Sequence, residues 1–586
     1  MSVSFCLQPA RTLQRPTELT RGDYSENRQY ITRLIEDKMV EHDIVGLSIA
    51  LVDDQHVVWA EGFGWADEQR KIKATPETVY RTGSITKLFT ATAAMQLDEQ
   101  GRMDIDQPLQ NALPQFAIKS RFPNAGPVTP RNIMTHHSGL PSDYLNGMWT
   151  EKPAEFTQLV VRLKEDYMAY PPDTILSYSN AGMTLLGHAV QHVSGRPYGE
   201  QIEQALLVPM GMSHSYIAAT LKDDRRSSKG YSDNKEITAL PLRDLPAGGL
   251  NSTVLDLARL TQMVFANGRA GQWQILKSET LNEMLRYQDG EAPFDLEKRV
   301  GLGWFLDDQF GSEAGLIAAH DGGTFLFHSS LMTLPRHQLA VVVLANSASA
   351  APAVTAIAEE ALKLALETKT GIRVQEPKEV SAKGLPARTE DLQAFPGHYS
   401  TPLGLVEIER RGDRLKVIAD DESFNLVRRE DGHYHLQYKL LGLWPVGLGV
   451  LGELGLTHGE VAGCDVLIAH HEGHEVLAGE KILPKAVPEA WSARVGHYEV
   501  IDPQPGLTLK DVALHSEEGL LVLEFGIQLP HLPNEDDTER LALVAVNDRE
   551  AVVHGLGRGK GGNVQVTRRS DEELLSYSGF LLRRKP

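Results

Sequence analysis

Two residues in "RTGSITKLFT", Ser84 and Lys87, stand at a spacing that can do chemistry. At i and i+3 they share one face of a helix and can touch. A serine hydroxyl is a poor nucleophile at neutral pH. It needs a base within hydrogen-bond reach and donors for the oxyanion it generates. A helix N-terminus adds a field that favours negative charge on the serine oxygen. The pair alone is a weak signal: Ser84 also reads as a helix cap with a solvated lysine, and a second S-x-x-K runs from Ser232 to Lys235. That copy precedes a proline-interrupted stretch with no apolar helix and is read as chance.

Two further groups lift the first copy. "ILSYSNAGMTLLGHAV" places Tyr178 and Asn180 two residues apart before an apolar helix, so in extended chain both point into one cleft. A phenol held near an ammonium has its pKa lowered and can shuttle a proton, while the amide can orient a substrate carbonyl. "AAHDGGTFLF" puts His320, Asp321, Gly322 and Gly323 at the start of a strand. Alternation there turns His320 and Gly322 to one face and Asp321 to the other. The glycines let a substrate lie against the strand edge, and the Gly323 N–H can join that of Ser84 as an oxyanion hole.

The elements that must hold these groups are legible. "NRQYITRLIEDKMVEHD" has helical apolar spacing, and "VGLSIALVDD" with "HVVWAEGFGWAD" reads as a β-hairpin. The helix after Ser84 has an apolar body of Ile85, Leu88, Phe89, Ala91, Ala93, Met95 and Leu97, with Gly101 as its stop. Three strand-like runs between residues 299 and 347, then the helix "APAVTAIAEEALKLALETK", complete one α+β domain whose sheet takes strands from both ends. Residues 1–26 read as an N-terminal extension, 27–370 as the catalytic domain and 371–390 as a linker. Beyond it, short strands joined by turns suggest two antiparallel β-barrel-like domains, 391–484 and 485–586. An echo, Gly397-His398-Tyr399 against Gly496-His497-Tyr498, supports a tandem pair.

The chain has 586 residues, 41% of them hydrophobic and 23% charged, enough for large cores. A net charge of −20 without a basic block argues against nucleic acid as a partner. Cys6 and Cys464 are too few and too far apart for a disulfide framework. No run is long enough to span a bilayer and the start lacks a signal-peptide pattern, so a cytoplasmic location is expected, or a periplasmic one if the true N-terminus lies elsewhere.

Ser84-x-x-Lys87, Tyr178-x-Asn180 and His320-x-Gly322, in this order, resemble the three motifs of the serine β-lactamase and penicillin-binding-protein family, in its class C-like branch. "VTPRNIMTHHSGLPS", "LPAGGLNSTVLDLARL" and "VGLGWF" are similar to that family's connecting segments, over roughly residues 27 to 367. The resemblance implies a transpeptidase-like fold of an antiparallel sheet flanked by helices. It also implies Ser84 as acylated nucleophile, Lys87 and Tyr178 as a shared base and acid, Asn180 as a substrate contact, and no metal or organic cofactor. One departure stands out: the family's Lys-Thr-Gly triplet is His320-Asp321-Gly322 here. That version resembles the esterases and D-amino-acid-specific peptidases of the branch, where appended lipocalin-like barrels can wall the cleft. The expected partner is a small ester or peptide; an acylated binding or sensing protein is the reading from another class, and oligomeric state is left open. Acidic groups at the cleft would favour an amine-bearing substrate.

Other motifs read as bystanders. "GLGVLG", Gly447 to Gly452, lacks the strand and helix of a nucleotide site, and "HGLGRGKGG" lacks phosphate-loop spacing and reads as a flexible hairpin tip. "AHHEGHE", with His470, His471 and His474, reads as a solvated turn rather than a metal site. His136 and His137 are read as shaping a loop beside the cleft. The G-x-S-x-G elbow of α/β hydrolases is absent.

Overall fold

A computed structural model of the chain describes residues 13–288, 292–375, 380–381, 383–419, 422–440, 444–446, 452, 454–471, 473–532 and 538–586. Cys6 and most of the Gly447–Gly452 run lie outside the described residues. Among the described residues no helix is long and apolar enough to cross a membrane.

The first architectural unit is an eight-stranded antiparallel sheet. Its order is Arg299–Val300, Phe305–Asp307, Ile317–Gly323, His328–Leu334, Leu339–Ala345, Gly46–Asp53, His56–Asp67 and Ile72–Lys73. Both ends of the domain meet at the centre, where Ile49 pairs with Val343 on one side and Glu61 on the other. The central strands are apolar on both faces, which demands cover on both. Leu47, Ile49, Leu51, Val341 and Val343 pack under the helices Ser25–Glu41 and Ala351–Thr370. Ala50, Val52, Val342 and Leu344 face the remaining helices, which surround the helix Thr86–Glu99. That helix is buried from Thr86 through Met95, so its sequence is apolar or small nearly all round instead of striped. It ends at Glu99, with Gly101 in the left-handed region at φ +66°.

Two antiparallel barrels follow. Eight strands between Gly397 and Ile482 close through the pairing of Glu422–Arg428 with Tyr434–Leu440, and Trp444–Val446 extends the sheet from the latter strand. The second barrel closes eight strands from Gly496–Val500 to Phe580–Arg584. The repeated Gly-His-Tyr has a physical reason. Gly397 and Gly496 sit at φ +143° and +148°, and a Cβ would press on Lys481 and Arg584 respectively. Tyr399 then donates its hydroxyl to Phe395 O at 2.7 Å, and Tyr498 to Arg494 O at 2.6 Å, the same four-residue return in each barrel.

The second barrel is fused to the catalytic domain by a shared core, in which Met148, Trp149 and Leu242 pack with Trp491, Leu507 and Leu523. Backbone bonds join Leu507 N–H to Trp149 O and Glu151 N–H to Pro505 O. Gly506 is required there, since a Cβ would lie 2.2 Å from Trp149 O. The second S-x-x-K has its own place: Ser232 and Lys235 face each other across a two-residue turn, Asp233 and Asn234, both at positive φ.

The tyrosine returns predict a measurable local effect. Tyr399→Phe and Tyr498→Phe each remove one buried hydrogen bond, and each lowers the opening free energy of its own barrel by about 1 kcal/mol. Peptide-resolved hydrogen exchange in dilute urea reads this, with the other barrel unchanged.

Candidate functional site

The turn that presents Ser84 is built from backbone contacts a side chain would block. Gly83, at φ +53°, lies against the end of the strand Ile317–Gly323; a Cβ there would stand 2.7 Å from Gly323 N. A Cβ on Gly322 would stand 2.0 Å from Thr82 O. Side-chain hydroxyls tie the contact together: Ser329 Oγ donates to Thr82 O at 2.8 Å, Thr86 Oγ1 to Gly83 O at 2.6 Å, and Leu250 N–H to Thr86 Oγ1 at 2.9 Å. Ser84 itself falls in a 3₁₀ turn, Gly83–Ile85, ahead of the α-helix, and it makes no capping bond. Gly83, the residue before Ser84, is the one that packs against Gly323, whose amide was expected to partner that of Ser84.

Lys87 is fully buried, and its Nζ lies 3.0 Å from Ser84 Oγ while donating to Ala247 O at 2.7 Å. Burial drives its pKa well below the ordinary lysine value, and the nearby Arg558 pushes it further in the same direction. Asp143 and Asp244 oppose this weakly; Asp244 is engaged by Arg243 through bonds of 2.6 and 3.0 Å. Lowering the pKa of a lysine raises the fraction of free amine able to accept a proton.

Tyr178 hydrogen-bonds Ser84, and its ring centroid lies 4.7 Å from Lys87 Nζ. The expected lowering of its pKa is reversed: burial raises it, outweighing the opposing contributions of Ser84 and Arg558. The ammonium that would have lowered it is itself desolvated. Tyr178 is therefore a phenol at neutral pH, and Lys87 is the group able to accept. His136 packs at a tilt against Tyr178, 4.3 Å between ring centroids, and its Nδ1 accepts from the Ser179 N–H at 3.2 Å. It positions the tyrosine from a backbone at φ +61°. His137 is tied to Asp295 at 2.5 Å instead.

Ser179 explains the "YSN" order. Its hydroxyl donates to Pro141 O and accepts from Gly182 N–H, capping the helix Asn180–Ser194. Asn180 is thus the first helical residue, not part of an extended pair, and its Nδ2 donates to Asp143 Oδ1 at 2.7 Å.

Strand Phe305–Asp307 pairs with Ile317–Ala319 only, so the sheet has a free edge from His320 to Gly323 although the strand is internal further back. His320 is buried and Asp321 turns away, its Oδ2 accepting from Thr355 Oγ1 at 3.1 Å. Burial first, then Lys87, lowers the His320 pKa to about 3, so the ring is neutral. Its Nδ1 donates to Asp321 O at 2.6 Å, leaving Nε2 as an acceptor that meets no partner among the described residues.

Together Ser84, Tyr178, His320, Gly322 and Gly323 line a cleft of about 460 Å³, which also includes Phe305, Ser329 and Arg558. Arg558 was missed by sequence reasoning. It lies in "HGLGRGKGG", which is a docked loop of the second barrel rather than a free tip. Asp143 was missed as well; no local pattern marks it. The histidine cluster also lands at a domain contact, with His474 Nε2 3.5 Å from Asp307 and 3.9 Å from Asp308.

The chain belongs to the beta-lactamase family, whose profile matches residues 31–366. "Protein flp" of Staphylococcus aureus strain N315 is 25% identical over 328 residues, 55% of this chain and 64% of that protein, so the match spans less than two thirds of that relative's length. An octameric penicillin-binding-protein homologue from Pyrococcus abyssi superposes with a TM-score of 0.52 at 24% identity, covering 78% of this chain and all of that one. SurE, solved with D-Leu, superposes at 0.54 with 21% identity, covering 78% of this chain and 99% of that one. Both structural likenesses concern the fold.

Two outcomes follow from the packing and the charges. Gly322→Ala forces the Thr82 backbone off the strand and lowers kcat/KM by about 100-fold, as a displacement near 1 Å at a reacting group does; circular dichroism shows the fold retained. The pH profile of kcat/KM rises once, as Lys87 loses its proton, with a midpoint well below that of an ordinary lysine. Because Arg558 helps to lower that pKa, Arg558→Gln moves the limb to higher pH.

Proposed function

We propose that this protein is a serine hydrolase working through an acyl-enzyme, cleaving small ester or amide bonds. The observation that carries the reading is the buried Lys87 amine 3.0 Å from Ser84 Oγ, with the protonated Tyr178 on the same oxygen. Lys87 takes the Ser84 proton as the oxygen attacks the carbonyl carbon. The tetrahedral oxyanion is held by the N–H groups of Ser84 and Gly323. Tyr178 passes a proton to the leaving group and is reprotonated from Lys87. Water then attacks the acyl-enzyme by the same route in reverse order. The family, shared by the relatives described above, supports serine chemistry at this position.

A D-amino-acid-specific peptidase is the second reading, and His320 favours it. Its open Nε2 accepts a hydrogen bond, which an amide or amine N–H on the substrate supplies and a simple ester does not. The D-Leu with which SurE was solved is in keeping with that class. Asp321 is the acidic residue lining the cleft, where it accepts from Thr355; Asp143 lies behind Arg558, and Asn180 and Arg558 already engage both its oxygens, so it offers no free seat for an ammonium. An acylated sensor with little turnover is the remaining reading.

Hydrolysis of a short-chain p-nitrophenyl ester, a D-alanyl anilide and a chromogenic cephalosporin, measured side by side, separates these. Turnover of the ester or anilide is expected, with Ser84→Ala lower by at least about 10⁴-fold and its fold intact. Anilide turnover equal to or better than the ester marks a peptidase. A stable stoichiometric adduct without turnover marks a sensor, and activity surviving in Ser84→Ala contradicts the assignment.

A further inference from the structure

We propose that Arg558, carried into the cleft by the second barrel, is a binding residue for a carboxylate on the substrate. This rests on the hydrolase reading and adds the substrate's charge. Three observations carry it.

The first is that the strand edge offers no cation. His320 stands where the resemblance would place a lysine, and its buried ring is neutral. Among the described residues lining the cleft, Arg558 is the one arginine or lysine. It is also a cation in a chain of net charge −20, so selectivity for an anion has to come from a local placement.

The second is that the loop is built to hold it there. Glycines alternate through "GLGRGKG", and Gly555, Gly557, Gly559 and Gly561 all have positive φ, from +72° to +115°. Tyr170 donates its hydroxyl to Gly555 O at 2.9 Å and to Gly557 O at 3.2 Å, while Gly559 N–H donates to Ser142 Oγ at 3.0 Å. A Cβ on Gly561 would stand 2.7 Å from that of Ala169. At the loop's base, Asn563 Nδ2 donates to Asp166 at 2.6 Å, and Arg121 bonds Asn563. Catalytic-domain groups thus grip the loop on both sides of Arg558.

The third is where the guanidinium sits. It lies 5.0 Å from the Tyr178 ring centroid, and its Nη2 donates to Asp143 Oδ2 at 3.2 Å. Asp143 Oδ1 is held by Asn180. One carboxylate oxygen therefore occupies one of the five donors of a planar fork that suits bidentate anions, and the side chain is 58% exposed toward the cleft and solvent. The Asp143 contact aims the fork without using it up. A substrate carboxylate seated on the remaining N–H groups lies within reach of the Tyr178 and Asn180 side of the site, across from His320.

The test pairs each acid with its uncharged amide, so that effects on the chemical step cancel in the ratio. One arm carries the carboxylate on the acyl side (glutaryl against glutaramyl p-nitrophenyl ester). The other carries it on the leaving side (N-acetyl-D-alanyl-D-alanine against its C-terminal amide). The wild-type protein is expected to prefer the acid by about 10- to 100-fold in kcat/KM in at least one arm. Arg558→Gln brings that ratio close to one, and Arg558→Lys restores part of it. Equal use of acid and amide in both arms, or a preference that survives in Arg558→Gln, overturns the proposal. Calorimetric titration of Ser84→Ala protein with N-acetyl-D-alanine and its amide reads the same preference without turnover, so a failure of the hydrolase reading leaves this one decided on its own.

Discussion

The desolvation of one ammonium group organises this catalytic domain. Lys87 is fully buried, and among the described residues its Nζ hydrogen-bonds Ser84 Oγ and the Ala247 carbonyl and no carboxylate. A charged lysine is costly in such a place, and the amine form is the affordable one. The surrounding structure serves that condition. The helix Thr86–Glu99 is enclosed from Thr86 through Met95, the Arg243–Asp244 pair is internally compensated, and Arg558 adds positive potential that disfavours the ammonium further.

From that condition the roles of the neighbours follow. Burial dominates at Tyr178 as it does at Lys87, raising the phenol's pKa so that the protonated form is favoured. The same burial keeps His320 neutral and turns its ring into an acceptor. A site with a lysine on its edge strand would present a cation there; this one presents a lone pair and brings its cation from another domain. The second barrel is thus part of the cleft, and its fusion to the catalytic domain through Trp149, Leu507 and Trp491 fixes Arg558 at a set depth.

Much of this was legible in the residues. Ser84, Lys87, Tyr178 and the His320–Gly323 run were found because the chemistry constrains their types at short spacings, and the central strands because continuous apolar runs need cover on both faces. The Gly-His-Tyr echo was legible too, because both copies answer one backbone problem. Other features were not. Asp143 lies 37 residues from Asn180, and Arg558 lies 415 from Asp143, so no local pattern links them. The alternating glycines of "HGLGRGKGG" were visible, but glycine marks a permissive backbone equally well in a free tip and in a loop pressed against a wall. The direction of the Tyr178 shift also escaped, since it depends on how deeply Lys87 is buried, which spacing does not reveal.

The most direct test of the account is chemical trapping of the acyl group. The protein is mixed with a p-nitrophenyl ester, quenched in acid within the burst, and its peptides are mapped by mass spectrometry. The acyl group is expected on Ser84, appearing with the first release of nitrophenol and lost as turnover proceeds. Steady hydrolysis with no acyl group on Ser84, or with the group on another residue, would contradict it.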